Sequence, residues 1–439
     1  MIRMITLASL LCLAAQPVHA QSLADDIAGD LSGLMEIYKD FHANPELSFQ
    51  ETRSAKKMAD AARAVGFTVT EKVGQTGIVA VMENGPGPVV MIRADMDGLP
   101  VVEQTGLPYA STKRGVSTAG VESGLMHACG HDTHMTAWIA TARLLAERKD
   151  EWSGTLVMIG QPAEELGLGS RAMLEDGLYE RFPKPDYVLA FHDSADMPAG
   201  VVGATPGWAL ANVDSVDIDI KGIGGHGAQP HTTKDPIVLG AAVVNRLQTI
   251  VSREVAPLEP AVVTVGSFHA GAKHNIISDQ AKLELTVRSF SDETRKQLLD
   301  AIRRIAQGEG RVAGLAEDML PTVTVKEPYT RSTYNTPELT NAFLADMRST
   351  MGEEQVIQTP PTTGGEDFGE FLRADEDDTQ SLIFWVGGVP AEKFAAAQRG
   401  EATLPSLHSP FWAPEADKVI ASAALGLTRT ALRLMPASN

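Results

Sequence analysis

Short apolar runs that alternate with helical patterns constrain the fold of this chain most. Apolar residues recur at helical spacing from Leu23 to Phe41, and a second helical pattern runs from Glu51 to Val65. Apolar runs of strand length lie at 77–82, 89–94, 156–160 and 187–191. A helical pattern at 133–148 separates the second run from the third. Continuous apolar strands separated by helices are typical of a parallel sheet covered on both faces. We therefore predict an α/β fold with a mostly parallel sheet.

The pattern changes near Trp208, where polar and apolar residues begin to alternate. Strand and helix patterns then follow one another in the order βαββαβ, at 215–221, 235–253, 262–268, 282–290, 293–307 and 322–326. This order predicts a compact α+β unit of the split-βαβ type. From Thr336 the α/β style returns, with a strand at 381–388 and a closing helix at 414–434. We expect a discontinuous catalytic domain, residues 21–208 and 327–439, interrupted by an inserted domain at 209–326.

The composition favours a soluble globular enzyme of more than one domain. The chain has 439 residues, of which 44% are hydrophobic and 21% are charged, enough to bury a sizeable core. The formal net charge is -19 and no basic block is present, so nucleic acid and anionic membranes are not expected partners. An anionic substrate must therefore meet a local positive group.

The first twenty residues have the layout of an export signal. Arg3 precedes an apolar run from Met4 to Ala15, and small residues end the segment at Ala20. The run is shorter than the roughly 20 residues that a membrane-spanning helix needs. We expect cleavage after Ala20 and a periplasmic or secreted protein.

Cleavage would leave Cys129 as the only thiol, because the other cysteine, Cys12, lies in the signal. No internal disulfide can then form, and a free thiol in an exported protein is open to oxidation unless something protects it. An isolated buried cysteine can also be a small hydrophobic residue. The neighbouring His127, His131 and His134 favour a metal ligand.

Polar residues that suit metal ligation gather where predicted strands end. Asp95 and Asp97 follow one strand, Glu164 and Glu165 follow another, and His192 follows a third. Ligands of open α/β sheets bind beyond the carboxyl ends of the strands. Thiolate, imidazole and carboxylate together suit zinc or a neighbouring transition ion, whereas magnesium and calcium prefer oxygen ligands. The sequence predicts a metallohydrolase.

A possible dinucleotide motif at 222–227, Gly-Ile-Gly-Gly-His-Gly, does not support a nucleotide site. Pro230 and a polar stretch separate it from the next helix, and no acidic residue lies at the distance expected for a ribose contact.

Five segments together resemble a known enzyme family. They are Arg-Ala-Asp-Met-Asp-Gly-Leu-Pro (93–100), His-Ala-Cys-Gly-His-Asp (127–132), Gln-Pro-Ala-Glu-Glu (161–165), Gly-His-Gly (225–227) and Leu-His-Ser-Pro (407–410). In this order they resemble the aminoacylase and carboxypeptidase family of dinuclear metallopeptidases. Within it they are similar to the amidohydrolase branch, which includes hippurate hydrolases, N-acyl-amino-acid amidohydrolases and auxin-conjugate hydrolases. Gly98 and the segment 275–278 depart from the usual family residues.

The resemblance implies a centre of two divalent transition-metal ions, either Zn, Mn, Co or Ni. The implied ligands are Cys129, His131, Glu165, His192 and His408. Glu164 lies next to a ligand, and we expect it to act as the general base toward water and then as the acid toward the leaving amine. Asp97 and Asp95 are expected to orient a histidine ligand or the metal centre, and for Asp95 a turn role is an equal alternative.

In the inserted domain, the resemblance implies that His226 reaches the oxyanion of the reaction intermediate from the partner subunit of a homodimer. Asn275 and Arg288 would contact the free carboxylate of the substrate, since guanidinium binds carboxylate through two parallel hydrogen bonds. The predicted substrate is an N-acyl amino acid or a related conjugate. A dipeptidase or carboxypeptidase with the same metals, and a non-catalytic binding protein with this fold, are the alternatives.

Overall fold

The computed structural model describes residues 22–118 and 120–437. The predicted export signal at residues 1–20 lies outside these ranges. Within them, no helix combines the length and the apolar character needed to cross a membrane.

Helices and strands alternate along the described chain. The α-helices are α1 (Leu23–His42), α2 (Thr52–Ala64), α3 (His131–Glu147), α4 (Gly169–Glu175), α5 (Leu178–Arg181), α6 (Pro236–Thr249), α7 (Asp292–Val312), α8 (Pro337–Met351), α9 (Gly369–Arg373), α10 (Ala391–Gln398) and α11 (Ala416–Leu434). The strands are β1 (Thr68–Val73), β2 (Gly77–Asn84), β3 (Val89–Asp95), β4 (Arg114–Val116), β5 (Glu122–Gly124), β6 (Gly154–Gln161), β7 (Tyr187–Pro198), β8 (Val202–Ala204), β9 (Gly207–Leu210), β10 (Asn212–Lys221), β11 (Gly225–His226), β12 (Val262–Ala270), β13 (Ile276–Ile277), β14 (Gln280–Ser289), β15 (Thr322–Val325), β16 (Thr333–Asn335), β17 (Val356–Gln358) and β18 (Gln380–Val389).

The large sheet has eight strands in the order β1-β2-β6-β3-β7-β18-β8-β17. Its central strands β6, β3, β7 and β18 run parallel. Strand β2 pairs antiparallel with β1 and with β6, and β8 pairs antiparallel with β18 but parallel with the edge strand β17. The prediction of an α/β fold with a mostly parallel sheet is therefore confirmed, because the four central strands run parallel to one another.

Successive residues of the central strands point into two different apolar layers. In β3, Val90 and Ile92 pack into a layer that contains residues of α1, α3 and α11, whereas Met91 packs with Met173 of α4 on the opposite face. Burying an aliphatic side chain of this size contributes about 1.5–3 kcal/mol. Burial on both faces explains why these strands are continuously apolar in the sequence.

A second, antiparallel sheet has the order β12-β14-β10-β15, with α6 and α7 packed on one face. Its elements follow the predicted βαββαβ order, with the two-stranded ribbon of β11 and β13 added. Helix α6 ends at Thr249 rather than 253, because residues 250–254 form a π-helical turn. The second sheet spans Asn212 to Val325, and the domain boundaries at 209 and 326 stay a prediction.

The two connections to the second sheet lie side by side. The backbones of Val213 and Thr330 exchange hydrogen bonds of 2.9 and 3.2 Å, and Ser332 N donates to the Asn212 side chain at 2.8 Å. The inserted segment therefore leaves and rejoins the rest of the chain at nearly the same place.

Candidate metal centre

The predicted ligands gather beyond the carboxyl ends of β3 and β6. Asp95 is the last residue of β3, and a short 3-10 turn, Glu164–Leu166, follows β6. His192 was expected to follow its strand but lies inside β7. The strand continues through polar residues to Pro198 because β18 pairs with it over this stretch.

Cys129 is the common member of two groups of possible ligands. Its Sγ lies 3.5 Å from His192 Nε2 and 3.2 Å from His408 Nε2. One group consists of Cys129, His131 and His192, and the other of Cys129, Glu165 and His408; within each group the ligand atoms lie within 4.8 Å of one another. The structure thus brings together all five residues that the family resemblance implied as ligands.

Hydrogen bonds orient two of the imidazoles toward this cluster. Nδ1 of His131 donates to the Asp97 carbonyl at 2.8 Å, and Nδ1 of His192 donates to the Asp193 carbonyl at 2.7 Å. These bonds leave Nε2 of each ring as the atom that can bind a cation. Buried His131 Nε2 and Glu165 Oε1 have no hydrogen-bond partner among the described residues. Buried polar atoms need partners, so the donor set fits a bound cation.

Asp97 holds the turn that carries Glu164 and Glu165. Its two carboxylate oxygens accept the backbone N–H groups of Glu164 and Glu165, both at 3.1 Å. Ser48 Oγ donates to the same carboxylate at 2.6 Å. Ala163, just before the turn, has a φ of 47° and donates its N–H to buried Glu51 at 2.8 Å. The carboxylates of Asp97 and Glu51 therefore stabilise the backbone conformation that places the adjacent Glu164 and Glu165 at the cluster.

His408 reaches the cluster from a loop near the C-terminus. Its N–H donates to the Ala128 carbonyl at 2.8 Å, next to Cys129. Its φ of 65° lies in the left-handed region that non-glycine residues seldom adopt, and such residues concentrate at functional sites. Nε2 also lies 3.5 Å from Glu165 Oε2. Burial lowers the pKa of His408, which favours the neutral ring that binds metals.

Burial disfavours the ionised forms of three acidic groups in the cluster, Glu164, Glu165 and Cys129. Burial and the charges of Glu366 and Glu165 raise the pKa of Glu164 well above its usual range. Burial also raises the pKa of Glu165, to about 7, despite the opposing charge of His131. Burial and nearby Glu165 raise the pKa of the Cys129 thiol. Added positive charge would stabilise the ionised forms of all three groups.

A buried arginine lies beneath the centre. Arg93 is 1% exposed and donates to Asp95 at 2.5 Å, to Glu366 at 2.7 Å and to Gln161 at 2.8 Å. Asp95 also accepts Nδ1–H of His134 at 2.6 Å. No role was predicted from the sequence for Glu51, Arg93 or Glu366. The motifs at 93–100 and 161–165 contain Arg93 and Gln161, but the sequence did not predict that Arg93 pairs with Glu366.

The three predicted residues of the inserted domain lie on or beside strands of the second sheet and of the ribbon formed by β11 and β13. Among the described residues, His226, Asn275 and Arg288 make no hydrogen bond or ion pair with the five predicted ligands. His226 is exposed on β11, and Gly227 N donates to the Asn275 carbonyl at 2.9 Å. Arg288 lies on β14 opposite Val213, and its guanidinium donates to Thr286 Oγ1 at 2.6 Å.

Comparison with known proteins identifies the family. The profile of peptidase family M20/M25/M40 matches residues 91–402. A hippurate hydrolase from Campylobacter jejuni is 38% identical over 348 residues, which cover 78% of this chain and 86% of the relative. A thermostable carboxypeptidase from Saccharolobus solfataricus is 35% identical over 371 residues, covering 84% and 88% respectively.

The fold has a solved counterpart in a Bacillus subtilis protein described as a dinuclear metal-binding peptidase of the M20 family. The two structures superpose with a TM-score of 0.75 and share 30% sequence identity, over 93% of this chain and 99% of the other. The match spans both the large sheet and the inserted one. The chain therefore belongs to peptidase family M20/M25/M40 and is a metal-dependent amidohydrolase.

Proposed function

We propose that this enzyme cleaves the amide bond of N-acyl amino acids at a centre of two divalent transition-metal ions. The observation that carries the proposal is the pair of ligand groups that share Cys129 and lie beside Glu164. The ligands would be Cys129, His131, Glu165, His192 and His408. The thiol and the imidazoles suit Zn, Mn, Co or Ni better than Mg or Ca. When bound, such ions polarise the amide carbonyl and lower the pKa of water.

Glu164 is the proposed general base and acid. Its carboxylate is only 9% exposed, and Oε2 lies 3.8 Å from His131 Nε2, at the edge of the ligand cluster. Burial and neighbouring carboxylates raise its pKa, and bound metal ions would oppose this shift and favour the ionised carboxylate that accepts a proton. In the proposed reaction Glu164 takes a proton from water and returns it to the leaving amine. Asp97 supports this role, because it holds the backbone N–H of Glu164.

Arg288 is the proposed partner of the substrate carboxylate. Directly opposed residues share one face of a sheet, so Arg288 and Val213 lie on the same face. A Cβ built at Gly365 would lie 2.5 Å from the Val213 side chain, so this face meets the loop that leads to Glu366. Among the described residues, no carboxylate lies within ion-pair distance of the Arg288 guanidinium, which leaves it able to bind an anion. Asn275, on the loop after β12, is the second proposed contact.

We also propose that the enzyme is a homodimer whose inserted domains pair. Strand β12 is at an edge of the second sheet, and its unpaired backbone groups can pair with a strand of another subunit. Phe268 on this strand and Val238 on α6 are 37% and 67% exposed. A dimer through this surface would allow the exposed His226 to serve the neighbouring subunit, where it would contact the oxyanion of the reaction intermediate.

A peptidase acting on short peptides is the second candidate, favoured by the carboxypeptidase among the relatives. The same Arg288 would then bind the C-terminal carboxylate of the peptide. The test is hydrolysis of N-acyl amino acids, of dipeptides and of both with the carboxylate amidated, with Mn²⁺ or Zn²⁺ added. We expect N-acyl amino acids to give the highest kcat/KM. Faster hydrolysis of dipeptides would favour the peptidase, and no hydrolysis of any substrate would favour a binding protein.

Amidation of the carboxylate should lower kcat/KM sharply in the wild type. Arg288→Ala should abolish most of the difference between free and amidated substrates, because the charge pairing that distinguishes them is lost. Arg295→Ala is a matched control, since Arg295 on α7 already pairs with Asp214 of β10 at 2.7 Å. Equal rates on free and amidated substrates in the wild type would contradict the assignment of a carboxylate site.

Residues 1–20 support the further proposal that the enzyme is exported. Expression in a bacterial host followed by cell fractionation and N-terminal sequencing tests it. We expect mature protein beginning at Gln21 outside the cytoplasm, and full-length protein retained inside would contradict export.

A further inference from the structure

The carboxylate of Asp193 lies directly behind the ligand His192. Asp193 is fully buried, and its Oδ1 lies 3.2 Å from Nδ1 of His192, the nitrogen that faces away from the cluster. The backbone carbonyl of Asp193 accepts the Nδ1–H itself, at 2.7 Å. Asp193 N donates to His134 Nε2 at 3.0 Å. One residue therefore holds the imidazole with its carbonyl group and places a negative charge beside the same ring.

The backbone at Gly130, just before α3, leaves room for this carboxylate. A Cβ added at Gly130 would lie 2.3–2.5 Å from the carboxylate atoms of Asp193, closer than any real contact. The φ of Gly130 is 80°, which also favours glycine. Gly130 lies between the ligands Cys129 and His131, so the Asp193 carboxylate packs against the segment that carries both.

The other carboxylate oxygen of Asp193 binds the loop of His408. Trp412 is 2% exposed, and its Nε1–H donates to Asp193 Oδ2 at 3.0 Å. Trp412 N donates to the Ser409 carbonyl at 3.1 Å, which closes a turn immediately after His408. Hydrogen bonds to a buried carboxylate are among the stronger ones in proteins. The indole thus connects two ligand-bearing segments that are far apart in the sequence.

We propose that Trp412 is a positioning residue, whose indole N–H holds Asp193 and so sets His192 and His408 at the spacing that cation binding requires. Both imidazoles approach the same atom, Cys129 Sγ, at 3.5 and 3.2 Å. A shift of either segment would therefore change the geometry of a shared ligand. The inference rests on the proposed function, because it assumes that these residues bind metal.

The test is Trp412→Phe, which keeps a ring in the pocket but removes the N–H. Affinity for Co²⁺ is measured by competition with a chromogenic chelator, and the thiolate-to-metal absorption bands report on Cys129. Loss of a residue that supports a metal ligand typically weakens metal binding by about 10- to 100-fold. We expect a loss in this range and altered absorption bands. Asp193→Asn is a second variant that keeps the shape of the side chain but removes its charge, and it should also bind Co²⁺ more weakly.

Trp152→Phe is the matched control. Trp152 is as buried as Trp412, and its Nε1–H donates to the Leu145 carbonyl at 2.9 Å, away from the cluster. Both tryptophan variants should lower the melting temperature of the metal-free protein, but only Trp412→Phe should weaken Co²⁺ binding. The double variant of Trp412 and Asp193 should lose less binding free energy than the sum of the two single losses, because removal of the Asp193 charge weakens the same hydrogen bond that Trp412→Phe deletes.

The outcomes separate this inference from the proposed function. Unchanged Co²⁺ affinity in Trp412→Phe would refute the positioning role, and so would equal losses of affinity in both tryptophan variants. If the wild type binds no stoichiometric metal, or if Cys129→Ser binds Co²⁺ as tightly as the wild type, the proposed metal centre is refuted. The inference then fails with it.

Discussion

His42 at the end of α1 is buried between two carboxylates, and this arrangement makes the stability of the enzyme depend on pH. Nδ1 lies 2.7 Å from Asp132 on α3, and Nε2 lies 3.0 Å from Glu103. Burial alone would favour the neutral ring, but the hydrogen bonds and charges of the two carboxylates outweigh it and raise the pKa of His42 to about 9. The ordinary value for histidine is about 6.5.

The size of the effect follows from the two pKa values. Between pH 6.5 and 9 the folded protein holds a proton on His42 that the unfolded chain has released. The free energy of unfolding should therefore fall by about 1.4 kcal/mol per pH unit, or about 3 kcal/mol in total. The contribution is fully present below pH 6.5 and is lost as the pH rises through 9.

The assay is urea unfolding of the wild type and of His42→Gln at intervals from pH 6 to 9.5, followed by tryptophan fluorescence at equal metal content. Other groups that titrate in this range are present in both proteins, so the difference between them isolates His42. We expect the variant to be less stable by about 3 kcal/mol at pH 6 and the difference to shrink toward pH 9.5. A difference that stays constant with pH would refute the reasoning.

Three further predictions concern the site. Glu164→Gln should keep its bound metal but lower kcat by about 10²- to 10⁴-fold, because general acid-base catalysis is lost. Turnover and metal analysis measure the two effects. Loss of metal with a normal rate per bound ion would mean that the roles of Glu164 and Glu165 are exchanged. Cys129 should resist thiol reagents in the metal-loaded protein, and Cys129→Ser should bind metal weakly; rapid labelling with full activity retained would contradict the ligand assignment. Mixed dimers of Glu164→Gln and His226→Ala should recover about a quarter of wild-type activity, because random exchange gives half heterodimers with one complete site each. Verified heterodimers without activity would place His226 within its own subunit or outside the reaction.

The parallel centre of the fold could be predicted because its signal is local. Strands β3 and β6 contain continuous apolar runs, at 89–92 and 156–159, because both of their faces are buried. The end of β7 could not be predicted, because its polar residues beyond His192 are held in the strand by pairing with β18. Register with a distant strand leaves no periodic signal in the sequence itself.

The candidate site likewise contains residues that could be predicted from the sequence and residues that could not. Cys129, His131, Glu164 and Glu165 occur in short segments whose residue types already suggest metal chemistry. The residues that hold them in place, Glu51 and Arg93 among them, are ordinary charged residues whose roles depend on partners far away in the chain. Arg93 and Glu366, for example, are 273 positions apart. Their interaction becomes visible only when the fold brings them together.

The position of β18 in the large sheet affects folding of the chain during its synthesis. Strands β7 and β8 are close in sequence, yet β18 lies between them and comes from residues 380–389. Until these residues emerge from the ribosome, β7 and β8 keep unpaired backbone groups along facing edges, and open edges of this kind pair readily with other chains. The nascent protein must therefore be protected from aggregation until most of its length has been synthesised, and a chain that stops before residue 380 should aggregate instead of folding.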